Sequence, residues 1–462
     1  MKKRNRVTFF NILSTCLLYG ISVFVAPLFS RLLGAGGYGT LSNYNIWVSV
    51  LAIAATLQTQ GTLVNARVEY PQQEQAAYQS SAMSMSVLVF LVVSGIVLAF
   101  LEPISQALQY SKFFILLVLF QAFGTFGVNF MNTKLTYEMK AGRNMLLSVG
   151  TSLSTLLLSL VLVLQMPKAY NYYGRIVAIA AVYGFLGLGL CIYILAKGRV
   201  FYNSRYWKFC FALAIPYVFY NLADLLLGHI DTVMLYQMQG DAVSGVYSLA
   251  YQFGTILFTI FGALNNTWVP FYFEDTKQGR TQAVMQQSRN YLELFTVLSV
   301  GFMLLSPEVF TLYGGEAFHR GTGLIPLFVT SHYINFLCTF PVNYEYYHKK
   351  VKVVAFATIL SSVINAGLNY VLILRMGMLG AAVATVVSHC FQLVLHYVYT
   401  RYILGKQEYP FGIGLWGKYG LCFLAVLVLS FLMPDAWLIR WGLGALIGIW
   451  ELLRIRKRKV LI

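Results

Sequence analysis

The chain has 462 residues, 58% of them hydrophobic and 11% charged, with a mean hydropathy of +0.67. Ordinary soluble domains carry about 25% charged residues, so a soluble globular enzyme is excluded, and no polar stretch is long enough to form a separate soluble domain. The net charge of +17 sits in short loops between apolar runs, which points to an anionic lipid surface or an anionic headgroup and away from nucleic acid.

The start, MKKRNR, precedes an apolar run from Val7 to Ser30. That run exceeds a signal-peptide core, and an uncleaved first helix is expected. A bilayer crossing takes roughly 20 apolar residues. The pattern predicts fourteen spans: 7–30, 41–64, 80–101, 113–133, 145–166, 176–196, 209–238, 244–272, 290–312, 324–345, 353–374, 379–400, and a shorter pair at 419–433 and 437–453. With the N-terminus inside, 26 of the 33 Lys and Arg fall on inner segments. The seven outer ones are Arg31, Lys112, Lys168, Arg175, Arg320, Arg375 and Arg440. This split supports an even number of spans and cytoplasmic termini. The longest inner segments are 197–208 and 273–289; the second reads equally as an amphipathic surface helix or as a solvated connector.

An internal repeat divides the chain. LGAGGYGTLS after span one matches QGDAVSGVYS after span seven, pairing Gly34, Gly39 and Ser42 with Gly240, Gly245 and Ser248 at one offset of 206. GRIVA at 174–178 pairs with GAAVA at 380–384 at the same offset. Six spans separate the copies, so the halves run in parallel, and in such transporters the site lies at the repeat interface. The expected organisation is an N-lobe at 1–196, a linker at 197–208, a C-lobe at 209–404, and two extra helices with a basic tail at 405–462.

Span seven carries the most expensive residues. Tyr217, Asn221, Asp224, Gly228 and Asp231 form one stripe at helical spacing, and His229 belongs to another face. Acids within hydrocarbon usually face a bundle interior or a wet path. Thr358, Ser362, Asn365 and Asn369 line one face of span eleven; Thr385, Ser388 or His389, Gln392 and His396 line one of span twelve. With Asp231 they offer hard oxygen ligands for a small cation, Na+ or H+; interhelical hydrogen bonding is the alternative use of the same residues. Asp224 is a second coupling candidate. Glu293, Glu345 and Glu451 lie near span ends and are expected to be solvated.

Amides and phenols dominate spans one, two, seven and eight. Asn43, Asn45, Asn221, Tyr247, Tyr251 and Gln252 are candidates for a glycan cavity, since amides bond hydroxyls and aromatic faces stack on sugars. Tyr near span ends, such as Tyr44, also fits an interfacial belt. Arg31, Arg67 and His229 are candidates for a diphosphate headgroup. The six cysteines all fall in apolar runs without C-x-x-C spacing, so no disulfide framework or metal site is expected. P-loop, H-E-x-x-H and G-x-S-x-G motifs are absent, so no enzyme and no cofactor is expected beyond a coupling ion.

SRLLGAGGYGTLSNYNIW at 30–47 and HIDTVMLYQMQGDAVSGVYSLAYQF at 229–253 resemble the polysaccharide flippases of the Wzx type, within the multidrug/oligosaccharidyl-lipid/polysaccharide exporter superfamily. The resemblance implies an all-α membrane protein with two six-helix lobes forming a V-shaped transporter that works by alternating access. It also implies a substrate of undecaprenyl-diphosphate-linked oligosaccharide, contact with membrane lipids, polysaccharide polymerase or assembly proteins as partners, and a bacterial plasma-membrane location. Related lipid II flippases place Na+ among an acid of span seven, two residues of span eleven four apart, and a Thr of span twelve. Asp231, Asn365, Asn369 and Thr385 match that spacing, with Asn369 where an acid is common. Those relatives line their cavity with arginines on spans one, two and eight, where this chain has amides and tyrosines. The terminal pair resembles the relatives' lipid-tail helices. Three rival readings are a drug/cation antiporter of the same fold, a membrane glycan polymerase or ligase, and a non-transporting scaffold. The first lacks an acid within spans one to six, and the second lacks a large outer loop.

Overall fold

A computed structural model describes residues 2–404 and 413–458. The helices follow in order: α1 (Lys2–Ala54), α2 (Leu63–Glu69), α3 (Gln75–Ala99), α4 (Leu101–Leu108), α5 (Lys112–Tyr137), α6 (Ala141–Gln165), α7 (Asn171–Gly198), α8 (Ser204–Gln239), α9 (Asp241–Lys277), α10 (Thr281–Gly314), α11 (Ile325–Tyr347), α12 (Val351–Met376), α13 (Met378–Val398), α14 (Ile413–Leu432) and α15 (Trp437–Arg458). No strand occurs among the described residues. Every predicted span falls on helix. The first two share α1, which is interrupted at Gly34, and the second continues past Ala54 through a 52° bend into α2. By length and hydropathy, ten of the described helices qualify as membrane spans, with an eleventh if that bent pair is one span; the apolar part of α14, Trp416–Leu432, is shorter.

Two compact units are present, Met1–His229 and Ile230–Ile462, and the division lies inside α8. Gly34 and Gly240, the repeat partners, both leave the helix with positive φ: 68° with ψ 179°, and 93° with ψ 174°. Only glycine enters that region without strain. The repeat is thus written in backbone conformation as well as in sequence.

In the N-terminal unit, α6 shows how polar residues are sorted in a membrane fold. Leu146, Leu153, Leu157 and Leu164 are exposed on one face, while Thr151, Thr155 and Ser159 are buried on another. Lipid rewards the apolar face, and each inward hydroxyl caps a carbonyl of its own helix four residues back. Helices α5 and α7 meet through glycines. A Cβ on Gly187 would lie 2.1 Å from the Gly124 carbonyl oxygen, and one on Gly127 would lie 2.5 Å from that of Gly187. Without a hydrophobic drive between spans, such close backbone approach is what packs them.

The C-terminal unit has an aromatic core. Trp268 of α9 stacks on Tyr272 and packs on Tyr291 of α10; Phe295 of α10 meets Phe336 of α11; Tyr333 of α11 stacks on Phe423 of α14 at 4.1 Å between ring centres. The terminal helices clamp α10. Arg440 of α15 pairs with Glu308 and donates to the Leu304 carbonyl at 3.0 Å, Arg454 pairs with Glu293, and the Tyr419 hydroxyl donates to Glu293 at 3.2 Å.

Two expectations are corrected here, and one counted charge is placed. Glu293, Glu345 and Glu451 are buried, at 1%, 0% and 4% exposure, because helix neighbours cover the span ends where water was expected. Segment 273–289 is neither a surface helix nor an open connector: α9 runs to Lys277, Gly279 turns the chain at φ 68°, and α10 starts at Thr281. Asp275 ties the turn, accepting from Arg280 Nε at 2.8 Å and Gln287 Nε2 at 2.9 Å. Arg440, counted as an outer topology charge, is buried at 1% exposure.

Candidate functional site

The site is built around Asp231, near the start of the C-terminal unit. Gly240 turns the chain between α8 and α9, so that Ser244 Oγ reaches the Thr232 carbonyl at 3.0 Å. One helical turn further, Tyr247 lies against Asp231 and donates its hydroxyl to the carboxylate. Thr385 of α13 donates to the same oxygen at 3.3 Å. The other oxygen accepts from Thr232 N at 2.7 Å and Thr232 Oγ1 at 3.4 Å. Asp231 is 1% exposed and forms no ion pair among the described residues, where its charge is held by neutral donors. That arrangement stabilises a buried carboxylate only partly, and it leaves the acid able to gain from a cation or a proton.

The resemblance-derived ligand set divides into two pairs. Asp231 and Thr385 touch. Asn365 and Asn369 touch each other, with Asn369 Nδ2 donating to Asn365 Oδ1 at 2.9 Å. No hydrogen bond joins the two pairs among the described residues. Asn369 Oδ1 and Asn365 Nδ2 are buried and unpartnered. An unpartnered buried amide oxygen suits a hard cation. Among the described residues, no group of three or more His, Cys, Asp or Glu is placed to hold a metal. Any cation here would rest on amide and hydroxyl oxygens plus one acid.

The surroundings of Asp231 were legible only in part. Tyr247, a glycan-cavity candidate, is fully buried with its ring edge-on to Phe328. Its phenol serves the acid, not a cavity wall. His389 Nδ1 lies 2.9 Å from Ser331 Oγ and 3.0 Å from the Thr385 carbonyl, and the buried Nε2 of His332 has no partner. A second polar pair went unforeseen. His396 Nδ1 of α13 lies 3.0 Å from both oxygens of Glu345 on α11, with both side chains wholly buried. His396 carries the helical phase of span twelve's polar face, which was the available signal. Glu345 hid behind its span-end position.

The remaining candidates scatter. Asp224 is exposed and Asn221 bonds its own helix, donating to the Tyr217 carbonyl at 2.7 Å. His229, Tyr251 and Gln252 are half-buried, and Tyr251 packs on Phe328. Asn43 is buried, donating to Gly39 O at 3.4 Å. Asn45 lines a cavity of about 370 Å3 inside the N-terminal unit. Arg31 is exposed. Arg67 donates to the Tyr137 carbonyl and borders another cavity, about 530 Å3, together with Lys134, Lys140, Lys197 and Glu138. Of the cysteines, Cys191, Cys210 and Cys338 are buried and free, and Cys390 and Cys422 are exposed and free.

The fold is similar to that of solved transporters. Against an inward closed conformation of lipid II flippase MurJ the TM-score is 0.75 at 15% identity, covering 98% of this chain and 100% of that one. Against an inward-facing multidrug resistance MATE family transporter of the MOP superfamily it is 0.64 at 14% identity, covering 83% and 93%. Two proteins of Haemophilus influenzae (strain ATCC 51907 / DSM 11121 / KW20 / Rd) are similar in sequence. One, described as an uncharacterized membrane protein, is 23% identical over 350 residues, 74% of this chain and 83% of that protein. The other, Lsg locus putative protein 1, is 20% identical over 358 residues, 73% and 83%. A family model described as polysaccharide biosynthesis protein matches residues 6–275, more than half of a chain that folds as the MOP exporters do, and the chain belongs to that family.

Proposed function

We propose that this protein is a flippase that carries an undecaprenyl-diphosphate-linked oligosaccharide from the inner to the outer leaflet of the bacterial plasma membrane, by alternating access. The observation that carries the reading is the coincidence of a polysaccharide-biosynthesis family match over 6–275 with a whole-length likeness to a lipid flippase fold. Transport is coupled to an ion gradient at Asp231, whose carboxylate binds the ion. Thr385, Asn369 and Asn365 supply the oxygens that would complete a Na+ site; a proton on Asp231 is the alternative, and it would reverse the sense of the Tyr247 or Thr385 hydrogen bond. Both termini face the cytoplasm.

A buried acid held by four neutral donors and, among the described residues, by no cation supports the coupling role, since such a residue is costly in lipid unless a function uses its charge. A cation antiporter of the same fold is less well supported, because the acid on the walls of the described cavities in the N-terminal unit, Glu138, is paired with Lys134 and Lys140. The test is reconstitution of the purified protein in proteoliposomes with a fluorescent undecaprenyl-diphosphate-linked glycan. Protection of the label from an external quencher is followed under imposed Na+ and H+ gradients. Gradient-dependent movement is expected, lost in Asp231→Asn. Gradient-driven efflux of organic cations with no glycan movement would assign the protein to drug export instead.

A further inference from the structure

The N-terminal unit encloses a second polar site that is distinct from Asp231. Arg175 sits one turn into α7, at the wall of the 370 Å3 cavity. Its Nη1 donates to Ser159 Oγ at 2.6 Å and to the Thr155 carbonyl at 3.4 Å, and the guanidinium lies 4.1 Å from the centre of the Phe29 ring. The buried threonine and serine of α6 therefore have a use: they and Phe29 hold one edge of the guanidinium in place. The other edge is unused. Among the described residues, Nε has no partner, Nη2 makes no hydrogen bond, and no Asp or Glu lines the cavity. A guanidinium fixed one turn into α7, with no acid on the cavity wall among the described residues, is placed to bind an anionic group.

The rest of the lining identifies what carries that anion. The side-chain amides of Asn45, Gln121 and Asn129 face the same cavity and make no hydrogen bond among the described residues. Each amide offers both donors and an acceptor, the pattern that hydroxyl groups match. The cavity volume falls in the range of small-molecule sites, roughly 300–1,000 Å3, and far exceeds the room one bare ion or water takes, about 30 Å3. We propose that this cavity binds an acidic sugar, with its carboxylate on the free edge of Arg175 and its hydroxyls on the amides of Asn45, Gln121 and Asn129. The inference rests on the flippase reading for its biological meaning: the transported glycan carries a uronic-acid unit. The site itself stands on its own geometry.

The experiment is isothermal titration of the full-length protein in lipid nanodiscs with D-glucuronate, D-glucose and acetate. Saturable glucuronate binding is expected, tighter than glucose by about tenfold or more, the worth of one charge-assisted hydrogen bond, and tighter than acetate by about tenfold from its hydroxyls on the amides. Arg175→Gln removes the preference for glucuronate over glucose. Asn129→Leu, which leaves the charge in place, weakens both sugars and leaves acetate unchanged. Equal binding of acetate and glucuronate, or full glucuronate affinity in a folded Arg175→Gln protein, overturns the proposal, as does the absence of saturable binding. These results separate from the transport assay: a protein that moves neutral lipid-linked glycans without binding glucuronate refutes the site alone. One that binds glucuronate through Arg175 yet moves no lipid-linked glycan refutes the flippase reading alone.

Discussion

Tyr247 donates its hydroxyl to the carboxylate of Asp231, sixteen residues back along the chain, and the turn at Gly240 is what brings the two together. Tyr247→Phe keeps the ring against Phe328 and removes one of four donors to a buried charge. It is expected to cost about 1–3 kcal/mol of stability, seen as a lower melting temperature of the purified protein, and to change the ion dependence of transport. Asp231→Asn keeps the shape and removes the charge. It is expected to fold and to lose gradient-driven transport, and normal coupled transport in that variant would falsify the coupling role.

Gly34 and Gly240 share one glycine-specific backbone conformation at equivalent places in the repeat. Neither would push a new Cβ into a neighbour, as no atom lies within 4 Å of either ideal position. Gly34→Ala and Gly240→Ala are therefore expected to carry the same pure backbone penalty, about 1–3 kcal/mol each. Comparing the two melting shifts checks this; a large effect at one and none at the other would break the equivalence.

Glu345 and His396 form a fully buried pair linking α11 to α13. Removing one partner leaves an uncompensated polar group. His396→Leu is expected to destabilise by about 3–5 kcal/mol, while the double variant Glu345→Leu/His396→Leu regains most of that loss. A double-mutant cycle on unfolding in detergent measures it, and strict additivity would show the pair to be uncoupled.

Gly187 leaves no room for a side chain, since its Cβ would meet the Gly124 carbonyl at 2.1 Å. Gly187→Ala is expected to force α5 and α7 apart at about 1–3 kcal/mol, the cost of overpacking. The control is Gly95→Ala on α3, where nothing lies within 4 Å and helix propensity favours alanine by up to about 1 kcal/mol. Opposite signs at the two positions are expected in melting curves; equal signs would contradict the close-packed crossing.

By itself the sequence determined the spans, the repeat and the polar faces, because apolar runs of about 20 residues cross hydrocarbon as helices and because helical period places residues on faces wherever the helix ends up. Gly34 and Gly240 were legible for the same reason: a local backbone demand leaves a local residue signature. Tertiary structure alone decided what each polar face meets. Glu293, Glu345 and Arg440 stand near span ends, where a residue can reach water or a partner with equal ease, and only the packing of α10, α11, α13 and α15 chose partners. Arg175 reads in sequence as one more outer charge; Ser159 and Thr155 lie 16 and 20 residues back on α6, Phe29 lies far back on α1, and only packing sets all three against its guanidinium. The phenol of Tyr247 could have faced a glycan; the turn at Gly240 aimed it at Asp231.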